Sequence, residues 1–66
     1  MIRNRVYELR TAARMTQEDL ARSLGVTRQT IISLEKNKYV PSLEMGFKVA
    51  RLFGKPVEEI FEYEEG

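Results

Sequence analysis

The stretch TQEDLARSLGVTRQTIISLEKN, residues 16–37, decides the fold. Thr16 is placed to cap a helix, its hydroxyl accepting the backbone N–H of Asp19. Thr16-Gln17-Glu18-Asp19 has the form of a capping box, with Asp19 where Glu or Gln is usual. Leu20, Ala21 and Leu24 then fall on one face, and Gly25 stops the helix because a left-handed residue without a Cβ carries no steric penalty. Thr27 offers a second cap, Ile31 and Leu34 form the buried face of the next helix, and Asn37 is suited to a left-handed ending. The small Ala21 lies where two helices cross closely. A turn this short sets its helices at roughly 90–120°.

Outward from this unit, helical periodicity continues in both directions and no stretch alternates like a strand. Ile2, Val6, Leu9 and Ala13 predict one apolar stripe on a first helix, with Met15 after it. Pro41 cannot continue a helix and Ser42 caps a fourth, whose predicted inward stripe is Leu43, Gly46, Phe47, Ala50 and Phe53, ended by Gly54. Pro56 opens a short fifth helix bearing Val57, Ile60 and Phe61. The expected fold class is all-α, a five-helix domain spanning residues 1–66, with no linker or repeat.

Composition narrows the function. The chain of 66 residues has no Cys and no His, so it lacks thiolate ligands, disulfides, and the commonest general base and transition-metal ligand. Glu58 and Glu59 are sequence neighbours that project in different directions from a helix, a poor acid/base pair. The tail carboxylates have no metal-site spacing. The expectation is no enzyme, no cofactor, no metal and no small-molecule substrate. No apolar run approaches membrane-spanning length, and the charged start lacks the apolar segment of a signal peptide. A soluble, cytoplasmic chain with no membrane partner is therefore expected. The net charge is only +1, but residues 1–38 hold eight of the eleven Lys/Arg and four of the ten Asp/Glu. Residues 39–66 are acidic. A basic first half suits a polyanion, although ordinary solvated surface gives the same pattern.

Together these residues resemble the Cro-type phage repressors, the Xre-like helix-turn-helix regulators, across almost the whole chain. The resemblance rests on Asn4-Arg5-Val6, Leu9-Arg10, Thr16-Gln17-Glu18, Leu20-Ala21, Gly25-Val26, Arg28-Gln29-Thr30-Ile31, Leu34-Glu35 and Pro41-Ser42-Leu43, in that order. It implies a lambda repressor-like fold, with the helix-turn-helix at about residues 16–37, and a double-stranded DNA partner. It further implies that Thr27, Arg28, Gln29 and Ser33 face the major groove, where Arg28 can pair with guanine and Gln29 with adenine. Gln17, Lys36, Asn37, Lys38 and Ser42 match phosphate-contacting positions, and Arg10 and Glu35 match an ion pair joining the first and third helices. Ile32 departs from the commonly polar residue at its position. Contact with a thymine methyl and a bare exposed side chain are both open to it.

One short helix reads few bases, so regulators of this kind are expected to bind palindromic operators as two-fold homodimers. The expected dimer element is the C-terminal segment 56–66, with Met45, Leu52, Val57, Ile60, Phe61 and Tyr63 as its apolar surface. Closure of the monomer core is the alternative for Ile60 and Phe61. A transcriptional repressor is the leading expectation. The antitoxin of a toxin–antitoxin pair and a protein-interaction module are the alternatives.

Overall fold

In the computed structural model, which describes residues 1–65, five helices and two short strands follow one another along the chain. Gly66, the last residue of the expected domain, lies outside the described residues. The elements are β1 (Ile2–Asn4), α1 (Val6–Ala12), α2 (Gln17–Leu24), α3 (Arg28–Glu35), α4 (Leu43–Phe53), α5 (Val57–Ile60) and β2 (Phe61–Tyr63).

The capping chemistry is as expected in the middle of the chain. Thr16 Oγ1 accepts the Asp19 N–H at 2.9 Å, and Asp19 Oδ2 accepts the Thr16 N–H at 3.0 Å, closing a reciprocal capping box on α2. The bond from the Thr16 backbone N–H, with a further contribution from the Thr16 hydroxyl, holds the Asp19 carboxyl below the usual carboxylate range. Gly25 is left-handed at φ 72°, Thr27 caps α3, and Asn37 ends it at φ 60°. α1 ends differently from the reading of its stripe. Arg14 adopts φ 60° and Met15 donates its N–H back to the Arg10 carbonyl, so Ala13 is an exposed cap instead of a core residue.

Two other expectations are corrected. Residues 2–4 do not extend the first helix. They form β1, antiparallel to β2, with Ile2 opposite Tyr63 and Asn4 opposite Phe61. Asn4 Oδ1 accepts the Val6 N–H at 3.0 Å, a local side-chain bond that competes with helix extension. Three-residue strands are too short to show alternation, and their pairing partner lies at the other end of the chain. The second correction concerns the phase of α4. Its buried residues are Met45, Gly46, Val49 and Ala50, whereas Leu43 and Phe47 are 73% and 53% exposed. The charged Glu44, Lys48 and Arg51 recur at i, i+4 and i+7 on the outer face, and the broad apolar remainder leaves room for two overlapping stripes. Packing selects the one that puts Gly46 under the Phe61 ring, where a Cβ would stand 4.0 Å from the ring.

The core joins every helix: Val6 from α1; Leu20, Ala21 and Leu24 from α2; Ile31 and Leu34 from α3; Met45, Val49 and Ala50 from α4; and Ile60 from α5. Leu9, Met15, Val26, Tyr39, Phe53, Val57 and Phe61 are partly buried around it. The α2–α3 unit is thus seated on a continuous apolar base, with the outer face of α3 left free.

Candidate nucleic-acid interface

Ile31 and Leu34 are fully buried and fix the rotation of α3 about its own axis. Thr27 Oγ1 accepts the Thr30 N–H at 3.2 Å and lies 3.0 Å from Thr30 Oγ1, so the first turn is tied at its opening. Thr27, Arg28 and Gln29 are exposed there, and Ile32 and Ser33 are half-buried on the same helix. Lys36, Asn37 and Lys38 are exposed at its far end. Asn37 is held by its own αL conformation and by Asn4, whose Nδ2 donates to Asn37 Oδ1 at 3.2 Å and to the Leu34 carbonyl at 2.9 Å. Sequence reasoning gave Asn4 no such role, because both bonds cross some 30 residues of chain.

Arg10 and Glu35 meet as expected from the resemblance. Their side chains are 10% and 6% exposed, with Arg10 Nε donating to Glu35 Oε2 at 2.5 Å. Arg10 also donates Nη1 to the Met15 carbonyl at 2.8 Å, and its guanidinium carbon lies 5.3 Å from the Tyr7 ring centroid. The Glu35 hydrogen bond holds the Arg10 guanidinium above its ordinary pKa. Gln17 joins this group through a bond from Nε2 to Glu35 Oε1 at 3.2 Å. Arg10, Gln17 and Arg28 line one open cleft with Thr16 and Glu18.

Ser42 is exposed and caps α4, accepting the Met45 N–H at 3.1 Å. The α4 opening therefore combines a polar cap with a helix N-terminus, the arrangement that favours anions.

The residues expected at a dimer surface are dispersed. Met45 and Ile60 are 7% and 1% exposed and belong to the monomer core, which corrects the expectation of Met45 at the dimer surface. Ile60 follows the alternative of closing the core. Val57 and Phe61 are half-buried against that core, and Leu52 and Tyr63 are exposed. Leu52 lines a separate cleft with Arg22, Gly25 and Arg51. At 100° per residue it stands roughly 180° around α4 from Leu43. Leu43 and Phe47, expected to face inward, are exposed because α4 is rotated away from the expected stripe, and Val40, which precedes α4, is exposed as well.

The helix-turn-helix family profile matches residues 6–60. The chain belongs to that family. It carries the DNA-binding helix-turn-helix domain of Xre-like transcriptional regulators. An uncharacterized HTH-type transcriptional regulator of Methanocaldococcus jannaschii is 52% identical over 64 residues, 97% of each chain. A cryptic-phage transcriptional repressor of Vibrio cholerae, RstR, is 32% identical over 60 residues, covering 91% of this chain and 54% of that protein. Among solved structures, a proposed DNA-binding protein from Bacteroides fragilis superposes with a TM-score of 0.83 at 31% identity, over 94% of this chain and all of the other. No helix among the described residues is long and apolar enough to cross a membrane.

Proposed function

We propose that this protein is a cytoplasmic transcriptional repressor that binds a palindromic DNA operator as a homodimer, with α3 in the major groove. The observation that carries this reading is the exposed polar N-terminal end of α3, held in one orientation by Ile31 and Leu34 beneath it. Rigid placement of a few polar side chains is what base-edge recognition requires, because hydrogen bonds discriminate bases only when the donor geometry is fixed. Arg28 and Gln29 read bases, with Thr27, Ser33 and Ile32 beside them, and each bidentate pair is worth roughly 1–3 kcal/mol of discrimination. Gln17, Lys36, Asn37, Lys38 and the Ser42 helix start hold phosphates. The similarity to a phage repressor supports repression as the outcome.

The whole chain acts as one domain in this reading, and its C-terminal region supplies the dimer contact. Leu43 and Phe47 extend that contact on α4, joined by Phe61, which packs over Gly46 between them in the helix, and by Tyr63 on β2. Selection of bound sequences from random duplex DNA tests the function. A palindromic consensus is expected, with Arg28→Ala weakening consensus binding far more than random-DNA binding and Lys38→Ala weakening both alike. Recovery of no consensus, or equal losses for Arg28→Ala on all sequences, contradicts it.

A further inference from the structure

Glu35 occupies an awkward position for an acid. It is the last residue of α3, where a carboxylate meets the negative end of the helix dipole, and that turn has no basic residue to offset it. Its carboxylate is nevertheless buried and gripped by two other helices. Arg10 of α1 binds both oxygens, Nε to Oε2 at 2.5 Å and Nη2 to Oε1 at 3.2 Å. Gln17, the first residue of α2, donates Nε2 to Oε1 at 3.2 Å. Stability alone does not account for such a pair, since buried ion pairs roughly break even against packed hydrocarbon.

A carboxylate does something hydrocarbon cannot: it decides which way an amide faces. Carboxylate oxygens only accept, so Gln17 must turn its NH2 group, and not its carbonyl, toward Glu35. One Nε2 hydrogen is used in that bond. The second has no hydrogen-bond partner among the described residues, and Gln17 lines one cleft with Arg28.

We propose that Glu35 is a positioning residue for DNA: held by Arg10, it orients the Gln17 amide so that the second Nε2 hydrogen meets a phosphate oxygen beside Arg28. Glu35 acts only through Gln17. The same bond makes a backbone contact from α2 and the base-reading face of α3 move as one body, which fixes the register of the helix on the duplex. This inference rests on the DNA-binding reading above.

The sign of the effect separates positioning from charge. Glu35→Gln removes a negative charge from a surface that meets a polyanion, so charge alone would tighten binding. Positioning requires the opposite, because the new amide can present its own NH2 and release Gln17. The experiment is fluorescence anisotropy of a random-sequence DNA duplex with the full chain at low salt, at a temperature where each variant's melting curve shows it folded. Gln17→Ala weakens binding about tenfold. The salt slope stays unchanged, since a neutral amide releases no counterion. Glu35→Gln weakens binding by a similar factor, and the double variant binds no more weakly than Gln17→Ala alone. Tighter binding by Glu35→Gln, no loss on Gln17→Ala, or losses that multiply in the double variant overturn the positioning role. In that event, a loss on Lys38→Ala in the same series shows that DNA binding itself still holds. A wild-type chain that binds no duplex overturns both readings. If Glu35→Gln does not fold, the Gln17 side-chain amide signals of the wild-type chain decide by NMR. One Nε2 proton shifts on adding duplex; an unmoved pair overturns the proposal.

Discussion

Helices α3 and α4 are built alike and finished differently. Each opens on a hydroxyl cap, Thr27 or Ser42, and each ends on a left-handed residue, Asn37 or Gly54. Each buries aliphatic side chains in the same core. What α3 leaves outside is polar: Thr27, Arg28 and Gln29. What α4 leaves outside is mixed: Leu43 and Phe47 lie on one side of a charged stripe of Glu44, Lys48 and Arg51, and Leu52 lies on the other. A polar face on a rotationally fixed helix suits a charged partner with hydrogen-bonding edges, whereas exposed large hydrophobics suit another protein surface. In the proposed function, α3 supplies the nucleic-acid face and the Leu43 and Phe47 side of α4 a protein face on the same small core.

The largest expected effect falls on the anchoring of α3. Arg10→Ala leaves Glu35 buried without its cation and costs about 3–5 kcal/mol. A domain of this size has roughly 3–10 kcal/mol in total, so urea unfolding should show most of the cooperative transition lost. A midpoint close to wild type would mean that α3 is held by its aliphatic contacts alone. The α4 counterpart is Phe47→Lys. It should leave the fold intact, because Phe47 is already exposed, yet weaken self-association by about 2 kcal/mol or more if this aromatic anchors the dimer. Sedimentation equilibrium checks both parts, and an undisturbed dimer would move the protein face elsewhere.

Smaller effects sharpen the likeness between the two helices. Thr27→Ala and Ser42→Ala should each cost about 1 kcal/mol in thermal or urea unfolding, as loss of a hydroxyl cap does. Unequal costs would show that one cap has a stronger substitute. The smallest effect is on pH dependence. Asp19 has its pKa lowered by the Thr16 backbone and side-chain hydrogen bonds. Its contribution to stability is therefore present above the unfolded carboxylate value, about 3.9, and is lost as pH falls through the lower folded value. Asp19→Asn should remove that acid-dependent part of an unfolding series and leave the rest of the curve in place.

The two helices also show what could be read from sequence. α3 was legible because its signals are local: a cap, a stop and two aliphatic residues three apart. The residues of its outer face expected to meet DNA are what the family resemblance implies. The Arg10–Glu35 pair joins residues 25 apart and came only from likeness to a family, since no local rule connects them. α4 was legible as a helix but not in its rotation. Eight of its eleven residues are apolar or Gly, and the expected stripe is rotated away from the face opposite the charged Glu44, Lys48 and Arg51, which is the face that meets Phe61 and the core. The strands were invisible for a related reason. β1 and β2 are three residues each, and the pairing of Ile2 with Tyr63 joins residues at opposite ends of the chain, which no local pattern reports. Asn4, which stops α1 and binds the end of α3, belongs to this class of non-local roles.

The most direct test of the division between the two helices is an NMR titration of the isotope-labelled chain with a DNA duplex recovered by selection. Backbone amides of residues 27–33 and 36–38 should shift, while those around Phe47 on α4 stay in place. Shifts concentrated around Phe47, with α3 unmoved, would contradict the assignment of α3 as the face that reads DNA.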